Sequence, residues 1–331
     1  MKRAAATSLA IVLSACGTSA QPNLGASHAG IMDPQRQQGP SSQDNVVAII
    51  SGLLEDGICS GTLISDRVVL TAAHCVCDGQ GNVRSPSEYK VSRAINVFSY
   101  PDSLEVAELK PFDGYSPWVP NQEDRHDIAL IRLKDRVGTP KSGFAFLNIA
   151  DVEAFVDPSL SFLVYGYGAY DQYDQYNPDG TITKATKLDG QRRVGQVELL
   201  KTLGDNELMV SGGTSCHGDS GGPLFYSEDG TSTSSGIFGV VSRPVRIDDC
   251  HNQPVIFTRV DSYNAFISDY VKAASVASDG SDEDAVAYAP PSDSGTADSN
   301  DPPDVAAACN DDGVCDPGES FDTCGDCSDA T

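Results

Sequence analysis

The sequence predicts an all-β protein that ends its folded part in one helix, and three observations carry that expectation. Between Asn45 and about Ala265, short β-branched runs alternate with turns rich in Gly, Pro, Asn and Asp, the pattern of a sandwich or barrel. The stretch Tyr263–Ala274 instead spaces Phe266, Ile267, Tyr270 and Val271 as an amphipathic helix does. Hydrophobic residues make up 40% of the 331, enough to bury the core of one large domain or two ordinary ones.

The chain opens with Lys2 and Arg3 ahead of a mostly apolar stretch, Ala4–Leu13, which reads as an export signal too short to stay as a membrane-spanning helix. Two processing routes fit residues 1–20. Leu13-Ser14-Ala15-Cys16 resembles the bacterial lipobox, which implies a lipidated Cys16 as the mature N-terminus on a bacterial membrane or cell surface. Cleavage after Thr18-Ser19-Ala20 would instead leave Gln21 first, with no lipid and a secreted product. A lipid would be the one membrane contact, since no other segment is apolar and long enough to cross a bilayer. Residues 21–44 form a polar leader or propeptide.

Regular structure begins at Asn45, and the folded domain spans 45–274. Val46–Ile50 is the first buried-strand candidate; Arg67–Leu70, Ile128–Leu133, Ser161–Tyr165, Gly236–Val241 and Val255–Val260 follow. Residues 275–308 are Ala, Ser, Asp, Gly and Pro with almost no large apolar side chain, the composition of a disordered linker. Residues 309–331 hold Cys309, Cys315, Cys324 and Cys327 in a module too small for its own core, so disulfides are expected to staple it. Its dense carboxylates offer oxygen ligands for Ca²⁺; the plainer reading is solvation of a stapled loop.

Charge narrows the partners. The formal net charge is −25, and from Ala273 onward there are 15 acids and no Lys or Arg, leaving 32 acids against 22 bases before that point. Such a tail argues against nucleic acid, whose phosphates need cationic neutralisation. It suits solubility and extension of an exported chain, or else attachment to a cationic or calcium-bearing surface. Ten cysteines in an exported chain imply disulfides. If Cys16 carries lipid, nine remain and at least one is unpaired within the chain.

Three short motifs bear chemistry. Thr71-Ala72-Ala73-His74-Cys75 places a histidine just after an apolar strand, Asp127-Ile128-Ala129-Leu130-Ile131 places a carboxylate at the mouth of another, and Gly218-Asp219-Ser220-Gly221-Gly222-Pro223 sets a serine among glycines. Alone, each is more often structural than functional. Together, in this order inside an all-β pattern, they resemble the trypsin/chymotrypsin serine protease family over about Val46–Ala274.

That resemblance implies two six-stranded antiparallel β-barrels with the active site between them, a hydrolase that needs no cofactor or metal, and protein or peptide substrates. It implies His74, Asp127 and Ser220 as the catalytic residues. A serine hydroxyl is a poor nucleophile until a base takes its proton; His74 would do so and hand the proton to the leaving amine, with Asp127 orienting the imidazole. Backbone N–H groups of Gly218 and Ser220 would hold the oxyanion, a contribution of about 3–4 kcal/mol per donor. Ser242, in Val240-Val241-Ser242, matches the serine that supports the aspartate. Family disulfides imply Cys59 with Cys75 and Cys216 with Cys250, leaving Cys77 either free or competing with Cys75 for Cys59. The usual Trp between glycines is replaced here by Gly166-Tyr167-Gly168.

The same alignment puts Thr214 at the floor of the specificity pocket and Pro244 and Val255 at its walls. Bulk over a neutral floor resembles an elastase-like pocket, implying cleavage after small uncharged residues such as Ala, Val or Ser. A pocket too full for any side chain is the alternative, and with it a binding or adhesion protein on a protease fold. Family precursors mature when a new N-terminal Ile or Val pairs with the aspartate before the serine. Here Ile31 and Asp219 would be that pair, although Ile31-Met32-Asp33-Pro34 departs from the Ile-Val-Gly-Gly pattern and Ile31 fits a plain leader residue equally well.

Overall fold

A computed structural model describes residues 43–52, 57–99, 103–117, 125–147, 155–157, 160–211, 215–227, 236–245, 250 and 253–276. Cys16, Ile31, Thr214, the linker beyond Val276 and the Cys-rich module lie outside the described residues. The chain divides into two compact units, Met1–Tyr288 and Ala289–Thr331, the second wholly outside them.

Strands β1 (Val46–Ile50), β2 (Ile58–Leu63), β3 (Val68–Thr71), β4 (Lys90–Ser92), β5 (Leu104–Pro111) and β6 (Ala129–Leu133) close an antiparallel barrel in the order β1-β2-β3-β6-β5-β4. Uninterrupted apolar runs fill it. Val46–Ile49, Val68–Leu70 and Ala129–Ile131 are fully buried, as in strands covered on both faces. Strand β1 has the bounds expected from its sequence. The run expected from Ile128 enters the ladder one residue later, because the Ile128 N–H bonds the His126 carbonyl instead.

The second sheet contains β7 (Phe146–Leu147), β8 (Ser161–Gly166), β11 (Arg193–Val197), β12 (Leu199–Leu203), β13 (Glu207–Val210), β14 (Pro223–Ser227), β15 (Gly236–Pro244) and β16 (Val255–Arg259). Its path runs β11-β8-β14-β15-β16-β13-β12, with β7 beside β15 in parallel. Only Glu198 separates β11 from β12, yet Val197 pairs with Phe162 on β8 while Leu199 pairs with Val210 on β13. One bent run therefore serves both edges of the sheet. Counted as one, it leaves six strands, the number that the resemblance implies, with β7 as an appendage to a half-barrel. A polar hairpin, β9 (Asp171–Tyr176) and β10 (Ile182–Lys187), forms a separate two-stranded sheet.

Two large apolar cores and one small cluster result among the described residues. Helix α1 (Asn264–Val276) adds Ile267, Val271 and Ala274 to the core of the first barrel; Phe162, Leu208, Phe238, Val241 and Phe257 fill the second. The helix lies close to the expected Tyr263–Ala274, its first turn being tighter 3-10 geometry at Asp261–Tyr263.

Candidate active site

The two halves meet around Ser60 on β2. Its N–H donates to the Ser220 carbonyl (2.7 Å), its hydroxyl donates to the Gly218 carbonyl (2.9 Å) and accepts from the Tyr167 N–H (3.0 Å), and its carbonyl accepts the Thr71 hydroxyl (2.8 Å). Gly221 N–H to Val241 O (2.8 Å) and Val241 N–H to Gly222 O (2.9 Å) tie the same loop to β15. The Ser220 turn is thus clamped by one strand from each half. Two residues of this turn must be glycine. Gly218 and Gly221 have φ of +97° and +81°, and a Cβ at Gly221 would collide with the Thr71 hydroxyl and the Ser60 carbonyl.

His74 sits in the short 3-10 turn Ala73–Cys75 that follows β3. Asp127 Oδ2 accepts from His74 Nδ1 (2.7 Å) and from the Ser242 hydroxyl (2.6 Å), while Oδ1 accepts the His74 backbone N–H (2.9 Å). The Thr258 hydroxyl on β16 holds the Asp127 carbonyl at 2.9 Å. An ionised carboxylate can only accept, so this arrangement puts the hydrogen on Nδ1 and leaves the Nε2 lone pair open. Cys75 Sγ lies 3.8 Å from Nε2 and 3.6 Å from the Ser220 carbonyl oxygen, so the imidazole and the serine backbone flank one sulfur atom.

Electrostatics separate the two carboxylates of the site. Asp127 is 4% exposed; burial works to raise its pKa, but the His74 charge and the hydrogen bonds from His74 and Ser242 outweigh it and hold the carboxyl below its ordinary value. For His74, burial works to lower the pKa, the Asp127 charge and hydrogen bond raise it, and the net displacement is upward. Arg125 and Arg243 act against that rise. Asp219 is fully buried, and burial pushes it up to about 7 against the Cys216 and Gly168 backbone N–H bonds (3.0 and 2.8 Å) and the Arg193 charge.

A family profile described as Trypsin matches residues 36–267. The chain belongs to the trypsin family. This trypsin-family chain is 26% identical to the urokinase-type plasminogen activator of Gallus gallus, over 65% of its own length and 51% of that protein. It is 28% identical to the cercarial protease of Schistosoma mansoni over 58% of its own length and 73% of that protein, and 30% identical to the CLIP domain-containing serine protease B8 of Anopheles gambiae over 65% and 59%. The chain thus spans about half the length of the urokinase-type relative. Among solved structures, neuropsin, a serine protease of mouse brain, superposes with a TM-score of 0.52 at 22% identity, covering 71% of this chain and 97% of that one; that likeness speaks to fold.

Within this trypsin-family domain, His74, Asp127, Ser242 and Ser220 gather at the junction of the two halves. Cys59 is bonded to Cys75, and Cys216 to Cys250. Cys77 is the free cysteine among the described residues, buried, with its thiol pushed up to about 12 by burial and then by the Asp127 and Asp78 charges. Pro244 and Val255 are register partners across β15 and β16, so their side chains share one face. Two His/Cys groupings, His74 with Cys59 and Cys75 and His217 with Cys216 and Cys250, resemble metal-ligand sets, but their sulfurs are spent in disulfides and offer no thiolate. Tyr167, in the family's Trp position, is fully buried and donates to the Ala94 carbonyl (2.8 Å), which satisfies the hydroxyl that a Trp lacks.

The sequence reading missed Ser60, Thr258 and a largely buried ion pair behind Ser242. Arg243 donates twice to Glu207 (2.6 and 2.9 Å) and once, at 3.4 Å, to Ser242 Oγ. A Ser, a Thr and a Glu inside strand-like runs carry no local signal; their partners lie far along the chain.

Proposed function

We propose that this domain is a serine endopeptidase that cleaves peptide bonds through an acyl-enzyme, with His74, Asp127 and Ser220 as its catalytic residues. The observation that carries the reading is Asp127, which accepts from His74 Nδ1 and from Ser242 next to the clamped Ser220 turn. His74 Nε2 takes the Ser220 hydroxyl proton as Oγ attacks the carbonyl carbon, the Gly218 and Ser220 N–H groups hold the oxyanion, and the proton passes to the leaving amine. Water, deprotonated by the same imidazole, then releases the acid and restores Ser220.

Pro244 and Val255, side by side on one face of the sheet, favour a small uncharged residue before the scissile bond. Buried Asp219, bonded by two backbone amides and raised toward neutrality, suits a carboxylate that receives the ammonium of a chain cut before Ile31. Disulfides and the N-terminal signal favour export, with Cys16 as the lipidation site of a bacterial lipoprotein; metabolic palmitate labelling lost in Cys16→Ser tests that anchor.

The primary test labels purified protein, intact and cut before Ile31, with a fluorophosphonate, comparing wild type with Ser220→Ala. Labelling and cleavage of Ala- or Val-containing peptides, both lost in Ser220→Ala, are expected. No labelling in either form would overturn the enzymatic reading in favour of a binding protein on this fold.

A further inference from the structure

His126, the residue before Asp127, has φ +50°. Among the described residues it is the one non-glycine in the left-handed region, which few side chains occupy and which favours His, Asn and Asp over other non-glycine residues. Its carbonyl accepts the Ile128 N–H at 2.9 Å, so Asp127 is the middle of a three-residue turn. Had His126 continued in extended geometry, the Asp127 carboxylate would leave the direction of His74 and Ser242. The left-handed residue therefore decides where the carboxylate points.

What holds it is a cluster of aromatic rings. His126 Nδ1 lies 2.7 Å from the Tyr263 hydroxyl, and the imidazole packs at 5.4 Å on Phe112 and edge-on at 5.9 Å to Tyr263. Phe112 in turn meets Tyr263 and Phe266 edge-on, at 5.0 and 5.3 Å. Tyr263 is 3% exposed and ends the 3-10 turn leading into α1. Phe112 directly follows β5 and donates its N–H to the Ile128 carbonyl (2.9 Å). Four rings thus bind the end of β5, the Asp127 turn and the start of α1 into one unit.

We propose that His126 and Tyr263 are positioning residues, through which the C-terminal helix holds the left-handed turn that aims Asp127 at His74. The inference rests on the serine-peptidase reading for its kinetic consequence and on the geometry alone for its spectroscopic one. The groups that govern His74 are Asp127, which raises its affinity for protons, and Arg125 and Arg243, which lower it. Loosening the turn removes the first and leaves the second two.

Three variants separate backbone from side chain. Tyr263→Phe deletes only the hydroxyl, His126→Ala removes the imidazole and resists φ +50°, and His126→Asn removes the imidazole but tolerates that φ. Each is assayed as active-site-titrated enzyme on an Ala peptide ester, and by proton NMR for the far-downfield His74 Nδ1 hydrogen bonded to Asp127. In Tyr263→Phe, kcat is expected to fall about 5- to 10-fold with KM unchanged, the scale of one lost hydrogen bond. The acid limb of kcat/KM moves to lower pH. His126→Ala loses more, His126→Asn recovers most of that loss, and the downfield resonance weakens in the same order. Variants that lower only the melting temperature, with per-site kcat, acid limb and resonance unchanged, would overturn the proposal and leave the ring cluster a packing feature. If wild type shows no turnover, the enzymatic reading fails, and the resonance still decides the positioning role.

Discussion

Asp219 yields the sharpest test of the site's electrostatics. Its carboxyl is fully buried, accepts two backbone N–H bonds among the described residues at 2.8 and 3.0 Å, and is raised from 3.8 to about 7, first by burial. Between those two values the folded chain keeps a proton that the unfolded chain has released. Stability therefore falls as pH rises from about 4 to about 7 and is level above. Three units at 1.36 kcal/mol each make the full penalty about 4 kcal/mol. Urea unfolding of the intact chain in a Ser220→Ala background, at pH 5, 6, 7 and 8, measures it without self-digestion. Asp219→Asn, which cannot ionise, should flatten most of that slope and be relatively more stable than its parent at pH 8. A chain beginning at Ile31 should also lose the slope, because an ammonium beside the carboxylate stabilises the charged form. An unchanged slope in Asp219→Asn would refute the account, placing the titration elsewhere.

Three further perturbations follow from the same contacts. Ser242→Ala removes a 2.6 Å donor from the Asp127 carboxylate; a hydrogen bond to a charged group is worth about 1.5–3 kcal/mol, so steady-state assays should find kcat/KM down about 10- to 100-fold, and a loss under twofold would deny Ser242 any support role. Glu207→Ala strands the largely buried Arg243 guanidinium, a defect costing about 3 kcal/mol, so calorimetry should find a Tm lower by roughly 6–12 °C; an unshifted Tm would mean the cation finds water on its own. Cys77, buried with its thiol at about 12, presents almost no thiolate at neutral pH; peptide mapping after iodoacetamide should find it unmodified in native protein and modified in urea, and rapid native labelling would contradict its burial.

Much of this molecule could be read locally, and what escaped was non-local. Strand β1 was legible because Val46–Ile50 is an unbroken apolar run after Asn45. The three motifs were legible because each keeps its special residues within six positions. Hairpin β9–β10 was not, since Asp, Gln, Lys and Thr show no apolar face. It is joined by a backbone ladder from the pair Asp171 and Lys187 to the pair Tyr176 and Ile182. Across it Lys187 meets Asp171 (2.7 Å) and Lys184 meets Asp174 (2.6 Å), pairings that exist only once the register is known. Ser60 bonds to groups 107 and 158 residues away, and Thr258 to one 131 away. No window of sequence contains both partners, so their roles appear only when the two halves fold together.

Asp127 and Asp219 show why residue type alone could not assign chemistry in this site. Both are buried aspartates, and burial pushes both upward. Asp127 meets a group able to become a cation, His74, plus a hydroxyl and a backbone donor, so its charged form wins. Among the described residues Asp219 meets two neutral amides and the charge of Arg193, which do not offset its burial, so its charged form loses ground. One carboxylate is ready to orient an imidazole; the other is short of a positive partner. Opposite displacement of two like groups in one site is what the proposed peptidase would use, with Asp127 acting in every turnover and Asp219 receiving the ammonium of a chain cut before Ile31. The second role is separable from the first: Asp219→Asn should leave the His74–Asp127 resonance intact in the uncut chain while abolishing the difference between cut and uncut forms.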